Sequence, residues 1–494
     1  MLRTAELANI AFCQALSQTH LGDKVYYPHT AVYDERLESY WSVSAALQPW
    51  CMVLPSTAED VSLTIKALTE HQCPFGIRSG GHGTSALSNS VQDGVTIDFG
   101  HMNATTYDPE TKIASIQPGG YWGPVYETLA PYGVTVTGAR DSTVGVGGFI
   151  TGGGNSFHSA TNGFACDNVK NFEVVLADGR IVNANSDENA DLWLALKGCS
   201  GNLGLVTRFD MYTIDYADPT VPEIFGGIVS YDVSATDAVI HAYVAFADNV
   251  ASDEDSSSII WWAYNRELGG MSIAGCLDNA ANEPNAPAFD GFLSIPGIKS
   301  NTMRSASMFN ITSDFAMGEG VRNIWMTSTY KNDPCILHFA AATHEEMVHR
   351  IEAVVSPDSG LGTVLQFQPI THSMVRHAAE NGGNMMGLED RIAGGTGAML
   401  LIYVAVKSAE EEALALPLVQ ELQDAIDEYA ASVDANWNWR YLNYAHGNQD
   451  PVAMFGAEPV AKLRAASAKY DPEGVFQKLR QSGFKIPPGR EDEL

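Results

Sequence analysis

The sequence is poor in positive charge. It has 28 Lys and Arg residues against 59 Asp and Glu residues, which leaves a formal net charge of −31 at pH 7, and its basic residues form no cluster. Proteins that bind nucleic acids or anionic membranes use Lys and Arg to neutralise phosphate groups. The composition therefore argues against both of these partners and favours a small or neutral ligand.

Long hydrophobic runs and internal repeats are also absent. The longest apolar run, residues 398–406, is far shorter than the ~20 residues that a membrane-spanning helix needs. No period of the kind that builds solenoids or propellers is present. With 494 residues, 45% hydrophobic and 18% charged, the chain has the composition of a folded protein of two or three domains.

Cysteine is scarce, with seven residues in the whole chain, so a disulfide framework is excluded and at least one thiol is free. The N-terminal residues lack the continuous apolar region and the cleavage site of a signal peptide. The triplets that begin at Asn103 and Asn310 match glycosylation acceptors, which are frequent by chance. These features leave the compartment open between the secretory pathway and the cytoplasm.

The first half of the chain has a mixed pattern. In residues 54–80 a helix predicted to begin at a capping box of Ser56 and Glu59 is followed by the strand PFGIRS. Between residues 94 and 215, short strands are separated by glycines, and Asp178-Gly179 is typical of a hairpin turn. The pattern predicts an α+β unit.

Beyond about residue 217, the apolar strands GGIVSY, SIIWWAY and GAMLLIYVAV alternate with helices. The pairs Thr343 with Glu346 and Ser408 with Glu411 predict two of the helix starts. We expect a second α+β domain with a large antiparallel sheet. A last helix is predicted to end at Asp471-Pro472, and the tail after it is expected to return to the first domain.

Two glycine-rich segments are candidates for ligand binding. Residues 138–168 contain eight glycines, a density that lets backbone N–H groups approach a flat or phosphorylated ligand. The segment is not a dinucleotide fingerprint, because Ile150 stands where the third glycine belongs. The alternative is a tightly turning β region without a ligand.

The second segment, Arg78-Ser-Gly-Gly-His-Gly83, places His82 inside a glycine turn at the end of a strand. A lone histidine is usually structural or solvated. Here its neighbours are glycines, so a planar ring can approach the imidazole, which is a competent nucleophile when neutral.

Ten motifs in order extend over nearly the whole chain: LPSTAEDV, CPFGIRSGGHG, GVTIDF, QPGGYWGPVY, the segment 138–168, EVVLADGRIV, DLWLALKG, GNLGLVTRF, YLNYA and YDPEGVFQ. In these motifs the chain resembles the fungal FAD-linked oxidases of the vanillyl-alcohol oxidase superfamily, in the berberine-bridge-enzyme-like branch. The resemblance implies an α+β fold of two domains. It places an FAD-binding domain at residues 1–217 with a PCMH-type core at about 46–217, a substrate domain at 218–454, and a C-terminal segment at 455–494 that returns to the FAD domain.

The resemblance also implies that the imidazole of His82 is bonded to the 8α-methyl group of FAD, which raises the flavin potential. Many family members have a second link through a cysteine at the position of Asp141, so a single link is expected here. Cys166 is expected to be a buried thiol. The remaining cofactor contacts implied are Arg78, Ser79, Gly80, Gly81, Gly83, Gly119, Thr143, Val144, Gly145, Gly147, Gly148, Gly154, Asp167, Asn168, Val206 and Asn443.

The family motif at Tyr441-Leu-Asn443 places the tyrosine over the substrate, so Tyr441 is the expected base and Tyr444 the alternative. Because a tyrosine has a pKa near ~10, it needs a charged neighbour to act at neutral pH. Arg440 is expected to point to the opposite face of a strand. The competing interpretation is that Tyr441 is a packed aromatic residue of that strand.

The resemblance implies an oxidase that transfers a hydride from a small alcohol or secondary metabolite to the flavin. Val144 is similar to the small aliphatic residue of oxygen-reactive members, so O2 is the expected acceptor and H2O2 the product. The single link favours a smaller substrate than an oligosaccharide. The alternatives are a redox-neutral isomerase or oxidative cyclase, a carbohydrate oxidase and a non-catalytic flavin-binding protein.

The resemblance further implies a disulfide between Cys13 and Cys73, which favours secretion or the secretory pathway. The sequence 491–494 is similar to an ER-retention signal with a different first residue. His372 and His377 have the wrong spacing for two ligands on one helical face, so no metal site is expected. We expect a monomer or a weak dimer.

Overall fold

The computed structural model describes residues 12–489 apart from residues 217, 219, 268, 317 and 319. The predicted α+β class is confirmed. The strands are β1 (Val25–Tyr26), β2 (Cys51–Val53), β3 (Phe75–Arg78), β4 (Val95–Asp98), β5 (Thr105–Asp108), β6 (Ile113–Ile116), β7 (Val134–Thr135), β8 (Val169–Val175), β9 (Ile181–Asn185), β10 (Leu205–Tyr212), β11 (Ile214–Asp215), β12 (Ile224–Tyr231), β13 (Ser256–Asn265), β14 (Gly270–Asn279), β15 (Ile298–Asn301), β16 (Arg304–Ala306), β17 (Arg322–Lys331), β18 (Gly362–Ile370) and β19 (Gly397–Val406).

The helices lie between these strands and after them. They are α1 (Ala31–Glu38), α2 (Ala58–Glu70), α3 (Trp122–Leu129), α4 (Val146–Thr151), α5 (Ser159–Asn162), α6 (Ala190–Leu196), α7 (Thr236–Asn249), α8 (Asp290–Leu293), α9 (Met308–Asp314), α10 (Pro334–Glu352), α11 (His372–Glu380), α12 (Glu389–Ile392), α13 (Ala409–Ser432), α14 (Ala457–Tyr470) and α15 (Val475–Lys478). No helix in the described ranges is long and apolar enough to cross a membrane.

A small sheet with the order β1-β2-β4-β3 begins the fold. Strand β4 is parallel to both β2 and β3, and α2 connects β2 to β3. The helix and strand predicted for residues 54–80 are therefore confirmed. β3 ends at Arg78, so the turn that carries His82 starts at the edge where the parallel strands end.

The predicted helix starts are partly wrong. The N-cap of α2 is Thr57, not Ser56, because the Thr57 hydroxyl accepts from the Asp60 N–H while the Asp60 carboxylate accepts from the Thr57 N–H. Thr343 lies inside α10, where its hydroxyl donates to the Phe339 carbonyl at 2.8 Å instead of capping. The capping box of Ser408 with Glu411 is confirmed at the start of α13.

The other sheets are antiparallel. A five-stranded sheet has the order β5-β6-β10-β8-β9, and β8 and β9 form the hairpin predicted at Asp178-Gly179. An eight-stranded sheet has the order β15-β12-β14-β13-β18-β19-β17, with β16 paired to β12. Helices α7, α10 and α13 pack on this sheet, and all ten residues of β19 are buried. Both faces of the sheet at β19 are thus covered.

The C-terminal segment contacts the first sheet. The Phe75 N–H of β3 donates to the Leu479 carbonyl at 3.0 Å, and the Phe75 carbonyl accepts from the Gln481 N–H at 2.7 Å. α14 ends at Tyr470, directly before the predicted stop at Asp471-Pro472, but it is not the last helix, because α15 follows. The domain boundaries after residues 217 and 454 stay predictions, and residues 491–494 lie outside the described residues.

The disulfide predicted between Cys13 and Cys73 is wrong. Cys13 is bonded to Cys51 at the start of β2, with Cα atoms 6.3 Å apart. Cys73 is a buried free thiol before β3, its Sγ contacts the Pro74 carbonyl, and burial raises its pKa to about 12. The N-terminal segment is therefore tied to the β2 side of the small sheet.

Candidate active site

A cleft of about 760 Å3 lies where the three sheets meet. Its walls come from the loop after β3, the glycine-rich segment, β10, the inner face of the eight-stranded sheet, and residues 441–447 and 480–484. Of the predicted site residues, those that line the cleft are Ser79, Gly80, Gly81, His82, Gly83, Val144, Gly145, Gly147, Gly148, Val206, Tyr441 and Asn443. The fold thus brings the two glycine-rich segments and the expected base together.

The two glycine-rich segments touch each other. A Cβ atom on Gly80 would lie 2.5 Å from the Cα of Gly145, and a Cβ atom on Gly145 would lie 2.4 Å from the N of Gly80. Real side chains do not reach such distances, so both positions require glycine. At this close approach the cleft surface next to His82 consists of main-chain atoms without side chains.

The His82 turn has the features of an anion-binding loop. Gly81 has a φ of +81°, and the N–H groups of Gly80, Gly81, His82 and Gly83 donate to no protein atom of the described ranges. Successive free N–H groups around a left-handed residue form a concave site for anions such as phosphate. A cleft with this loop, bare glycine backbone and apolar walls fits a flavin dinucleotide.

His82 lies in the cleft wall with its side chain largely buried. Its imidazole is stacked on the indole of Trp41, with ring centroids 4.4 Å apart and an interplanar angle of 11°. Its buried Nε2 has no hydrogen-bond partner within the described residues. Burial lowers the pKa of His82 and outweighs the opposite effect of Asp141, so the imidazole is neutral at physiological pH.

Asp141 faces His82 from the glycine-rich segment. Its Oδ2 lies 4.0 Å from the His82 Nε2, and both side chains are largely buried. The other oxygen, Oδ1, accepts from the Thr143 N–H and hydroxyl, both at 2.7 Å. The turn therefore fixes the carboxylate and leaves one oxygen directed at the imidazole.

Tyr441 lies at the cleft but not in a strand, because it directly precedes a 3-10 turn at Leu442–Tyr444. Its phenol oxygen accepts from the Asn155 N–H at 2.8 Å and from the Asn443 amide at 3.1 Å. Burial raises the pKa of Tyr441 well above its usual range, and the neighbouring Tyr444 adds to this effect. The phenol proton has no acceptor among the described protein atoms, so it is free for a ligand.

Arg440 points away from Tyr441, as predicted, but the alternation of side chains along a strand is not the cause. Its guanidinium lies 3.3 Å from the Asp427 carboxylate of α13, away from Tyr441. No strand alternation causes this, because residues 437–441 do not form a strand. The strand assumed for Tyr441 is therefore wrong.

A polar cluster in the cleft was missed in the sequence. Arg140 donates through Nη2 to the Gln368 side-chain oxygen and, at 3.2 Å, to the Tyr444 hydroxyl. Gln368 donates to the same hydroxyl at 3.0 Å and accepts from the Asn155 side chain at 3.3 Å. Gln368 comes from β18, far from Arg140 in sequence, so no local pattern joins them.

The rest of the substrate side of the cleft is mainly apolar. The side chains that line it from the eight-stranded sheet and adjoining segments include Ile228, Ile259, Trp261, Phe315, Trp325, Val364 and Leu401. Ligand pockets with apolar walls and a few convergent polar groups suit compact organic molecules. Arg140 and the two tyrosines line the cleft and supply those polar groups, while Gln368 is buried behind them.

Several predicted cofactor residues do not line the cleft. Arg78 is fully buried below the His82 turn, where it lies 3.4 Å from the Asp98 carboxylate and over the ring of Tyr40. A Cβ atom on Gly119 would lie 1.9 Å from the Phe99 carbonyl oxygen. Both residues support the loop from behind.

The remaining predicted residues have local structural roles. Thr143 is exposed and donates to Asp141, while the carboxylate of Asp167 accepts from the Phe164 N–H. The Asn168 amide donates to the Phe164 carbonyl, and Gly154 has a φ of +82° in the same turn. These residues shape the glycine-rich segment behind the cleft wall.

The other cysteine and histidine predictions concern residues away from the cleft. Cys166 is fully buried, as predicted, and burial raises its thiol pKa. His377 pairs with Glu254 and Glu380 on the surface of α11. His372 begins the same helix.

A family model described as an FAD binding domain matches residues 49–185. The FAD-dependent monooxygenase sdcF of Emericella nidulans is 40% identical over 478 residues, which cover 96% of this chain and 98% of the relative. The FAD-dependent monooxygenase drtC of Aspergillus calidoustus is 37% identical, over 96% of this chain and 90% of the relative.

Solved structures share the fold. The 6-hydroxy-D-nicotine oxidase of Arthrobacter nicotinovorans has a TM-score of 0.77 at 18% identity, over 94% of this chain and 98% of that one. The glucooligosaccharide oxidase of Acremonium strictum, described with a 6-S-cysteinyl, 8α-N1-histidyl FAD, also has a TM-score of 0.77 at 18% identity, over 97% of this chain and 100% of that one. The relatives and the family model establish that the chain belongs to a family of FAD-dependent oxidoreductases, and the solved structures share its fold.

Proposed function

We propose that the protein is an oxidase in which one covalent bond joins FAD to His82 and a hydride is taken from a compact, largely apolar alcohol or related metabolite. The observation that carries this proposal is the position of His82. Its neutral imidazole lies in a turn of unpaired N–H groups, on the same cleft as Tyr441.

A single bond to the flavin is supported by the residues around His82. Asp141 occupies the position at which a second link would need a sulfur atom, and Cys166 is buried outside the lining of the cleft. The N–H groups of residues 80–83 and the bare backbone of Gly145 would hold the phosphate part of the cofactor. FAD, when bound, supplies hydride acceptance and the transfer of two electrons to O2.

Tyr441 is the proposed base. Its oxygen accepts two N–H hydrogen bonds, which stabilise negative charge there when the phenol loses its proton. The positive charge of Arg140 acts in the same direction. Tyr441 would remove the proton of the substrate hydroxyl as the hydride leaves the adjacent carbon.

The apolar walls support a compact substrate over an oligosaccharide. Sugar hydroxyl groups need many polar partners, whereas the eight-stranded sheet contributes mainly aliphatic and aromatic side chains to the cleft. A carbohydrate oxidase, an isomerase or cyclase, and a non-catalytic flavoprotein remain the alternatives to test.

The disulfide between Cys13 and Cys51 supports a place in the secretory pathway. We also propose that the protein acts as a monomer or a weak dimer.

The names of the relatives favour one further candidate, a monooxygenase that inserts one atom of O2 into its substrate and reduces the other to water with two electrons from NADPH. We would screen phenolic, polyketide-like and simple sugar alcohols for bleaching of the flavin under anaerobic conditions, then admit 18O2 with and without NADPH. The oxidase predicts one H2O2 per product and no 18O in the product. Labelled product would establish the monooxygenase, turnover without peroxide the isomerase or cyclase, and sugar turnover the carbohydrate oxidase. If none of the compounds bleaches the flavin, the protein has no oxidase activity toward these classes.

A further inference from the structure

Arg140 reaches the cleft with most of its hydrogen-bonding capacity unused. Its Nη2 donates to Gln368 and Tyr444. Its Nε and Nη1 donate to no protein atom of the described residues, although the side chain lines the cleft. A guanidinium presents its N–H groups in a planar fork that matches two oxygens or one oxyanion.

No carboxylate of the described residues forms a close ion pair with Arg140. Within the described ranges, no carboxylate oxygen lies within 4.0 Å of its guanidinium nitrogens. Asp314, which also lines the cleft, is 2.6 Å from Arg304 instead. Asp278 is buried beside the thiol of Cys276, and burial raises its pKa to about 7 against the opposite effect of the Arg140 charge, so near neutral pH it neutralises Arg140 only in part.

The partly buried charge of Arg140 is unfavourable unless a ligand supplies a counter-charge or further hydrogen bonds. A charged group that is partly removed from water needs a counter-charge or strong hydrogen bonds. The apolar side chains of Ile228, Ile259 and Val364, which line the same cleft, cannot supply either. An anionic oxygen bound in the cleft would supply both.

We propose that Arg140 and Tyr444, which line the cleft and are held in place by the buried Gln368, form a binding subsite for an acidic oxygen of the substrate. The substrate class is then an apolar molecule that carries one carboxylate, phenolate or enolate oxygen. The Arg140 guanidinium, the Gln368 amide and the Tyr444 hydroxyl converge within hydrogen-bond distance of one another. The inference rests on the proposed function, because it defines which molecule that oxidase would accept.

The subsite also orients the substrate. Tyr444 and Tyr441 are in edge-to-face contact with ring centroids 5.0 Å apart, so an oxygen held at Arg140 lies near the proposed base. A neutral polyol offers no charge to the guanidinium and many hydroxyl groups to the apolar walls. The arrangement therefore selects an acidic aromatic or enolic molecule over a sugar.

The test uses the flavin-containing protein and isothermal calorimetry with benzoate and its neutral isostere benzamide at pH 7. Benzoate is expected to bind at least ten times more tightly than benzamide. In Arg140→Gln the difference should fall below twofold, with benzamide affinity unchanged. Arg322→Gln is the matched control, because Arg322 pairs with Glu412 at 2.7 Å and does not line the cleft.

Equal affinities of the two probes in the native protein, or an unchanged preference in Arg140→Gln, would overturn the subsite. Tighter binding of cellobiose than of benzoate would overturn it in favour of a sugar. If Arg140→Gln does not fold, Arg140→Lys replaces it, because lysine keeps the positive charge but lacks the planar guanidinium. This variant should prefer benzoate over benzamide less strongly than the native protein does. Calorimetry needs no turnover, so a native protein that forms peroxide but does not prefer benzoate contradicts the subsite alone, and a native protein that prefers benzoate but forms no peroxide contradicts the oxidase alone.

Discussion

The indole of Trp41 lies parallel to the imidazole of His82, with 4.4 Å between the ring centroids. Trp41 is itself buried and packs edge-to-face on Trp325 of the eight-stranded sheet at 5.4 Å. The stack fixes the plane of the imidazole, and in that plane Nε2 is directed to the Asp141 carboxylate. The histidine proposed to carry the flavin is therefore held in one orientation before any cofactor binds.

Asp141→Asn should slow the attachment of FAD to the apoprotein by about tenfold or more. Attachment forms one C–N bond to the 8α carbon and displaces one proton from that carbon and one from the imidazole, while two electrons pass through the flavin to O2. The Asp141 carboxylate, 4.0 Å from Nε2, stabilises the positive charge that develops on the imidazole, and a tenfold effect on the rate corresponds to about 1.4 kcal/mol of this charge interaction. The measurement is the fraction of flavin that stays with acid-precipitated protein over time.

Asparagine keeps the Oδ1 contact with Thr143, so the turn at residue 141 is preserved. Asp314→Asn removes another carboxylate from the same cleft and should leave the attachment rate unchanged. An Asp141→Asn protein that attaches flavin as fast as the native protein would show that the carboxylate does not act on His82.

Tyr441→Phe should lower the rate of flavin reduction by ~100-fold or more, the usual contribution of a positioned base. Tyr444→Phe should mainly weaken substrate binding, because its hydroxyl contacts Arg140 and Gln368. Stopped-flow measurements of flavin bleaching over a range of substrate concentrations separate the two effects. If Tyr444→Phe lowers the rate of flavin reduction and Tyr441→Phe mainly weakens substrate binding, Tyr444 is the base.

The pH profile of flavin reduction should rise toward alkaline pH. Burial raises the pKa of Tyr441, so the fraction of unprotonated phenol falls about tenfold for each pH unit below that pKa. A plot of the logarithm of the reduction rate between pH 7 and 9 should therefore have a slope near one, and Tyr441→Phe should flatten it. A native profile that is flat over this range would contradict the assignment.

Much of the fold could be predicted from periodicity and glycine placement. Short apolar segments located β12, β13 and β19, and Asp178-Gly179 located the hairpin between β8 and β9. The starts of helices were less certain, because Thr343 and Glu346 have the spacing of a capping box inside α10, where backbone partners already satisfy the N–H groups. Spacing alone does not distinguish these two situations.

The candidate site was only partly predictable for a similar reason. His82 and the glycines beside it form a local pattern, whereas Arg140 and Gln368 meet only after β18 joins the large sheet. The stacking of Trp41 on His82 likewise depends on tertiary structure. The partner of Cys13 depends on which part of the small sheet the N-terminal segment approaches. That segment contacts Cys51 of β2 instead of Cys73 before β3.

Cys51→Ala should lower the free energy of unfolding by about 4 kcal/mol, because its disulfide closes a loop with a sequence separation of 38. Cys73→Ala removes only a buried thiol and should cost about 1 kcal/mol. Urea unfolding under oxidising conditions, followed by tryptophan fluorescence, compares the two variants. A larger loss in Cys73→Ala would restore the pairing expected from the sequence.

The most direct test of the proposed covalent flavin is a visible spectrum before and after acid precipitation, followed by mass analysis of the peptide that contains His82. We expect the yellow colour to stay with the pellet, that peptide to carry one FAD, and His82→Ala to release all flavin on denaturation. Flavin that washes out of the native protein, or that stays bound covalently in His82→Ala, would contradict the assignment of His82.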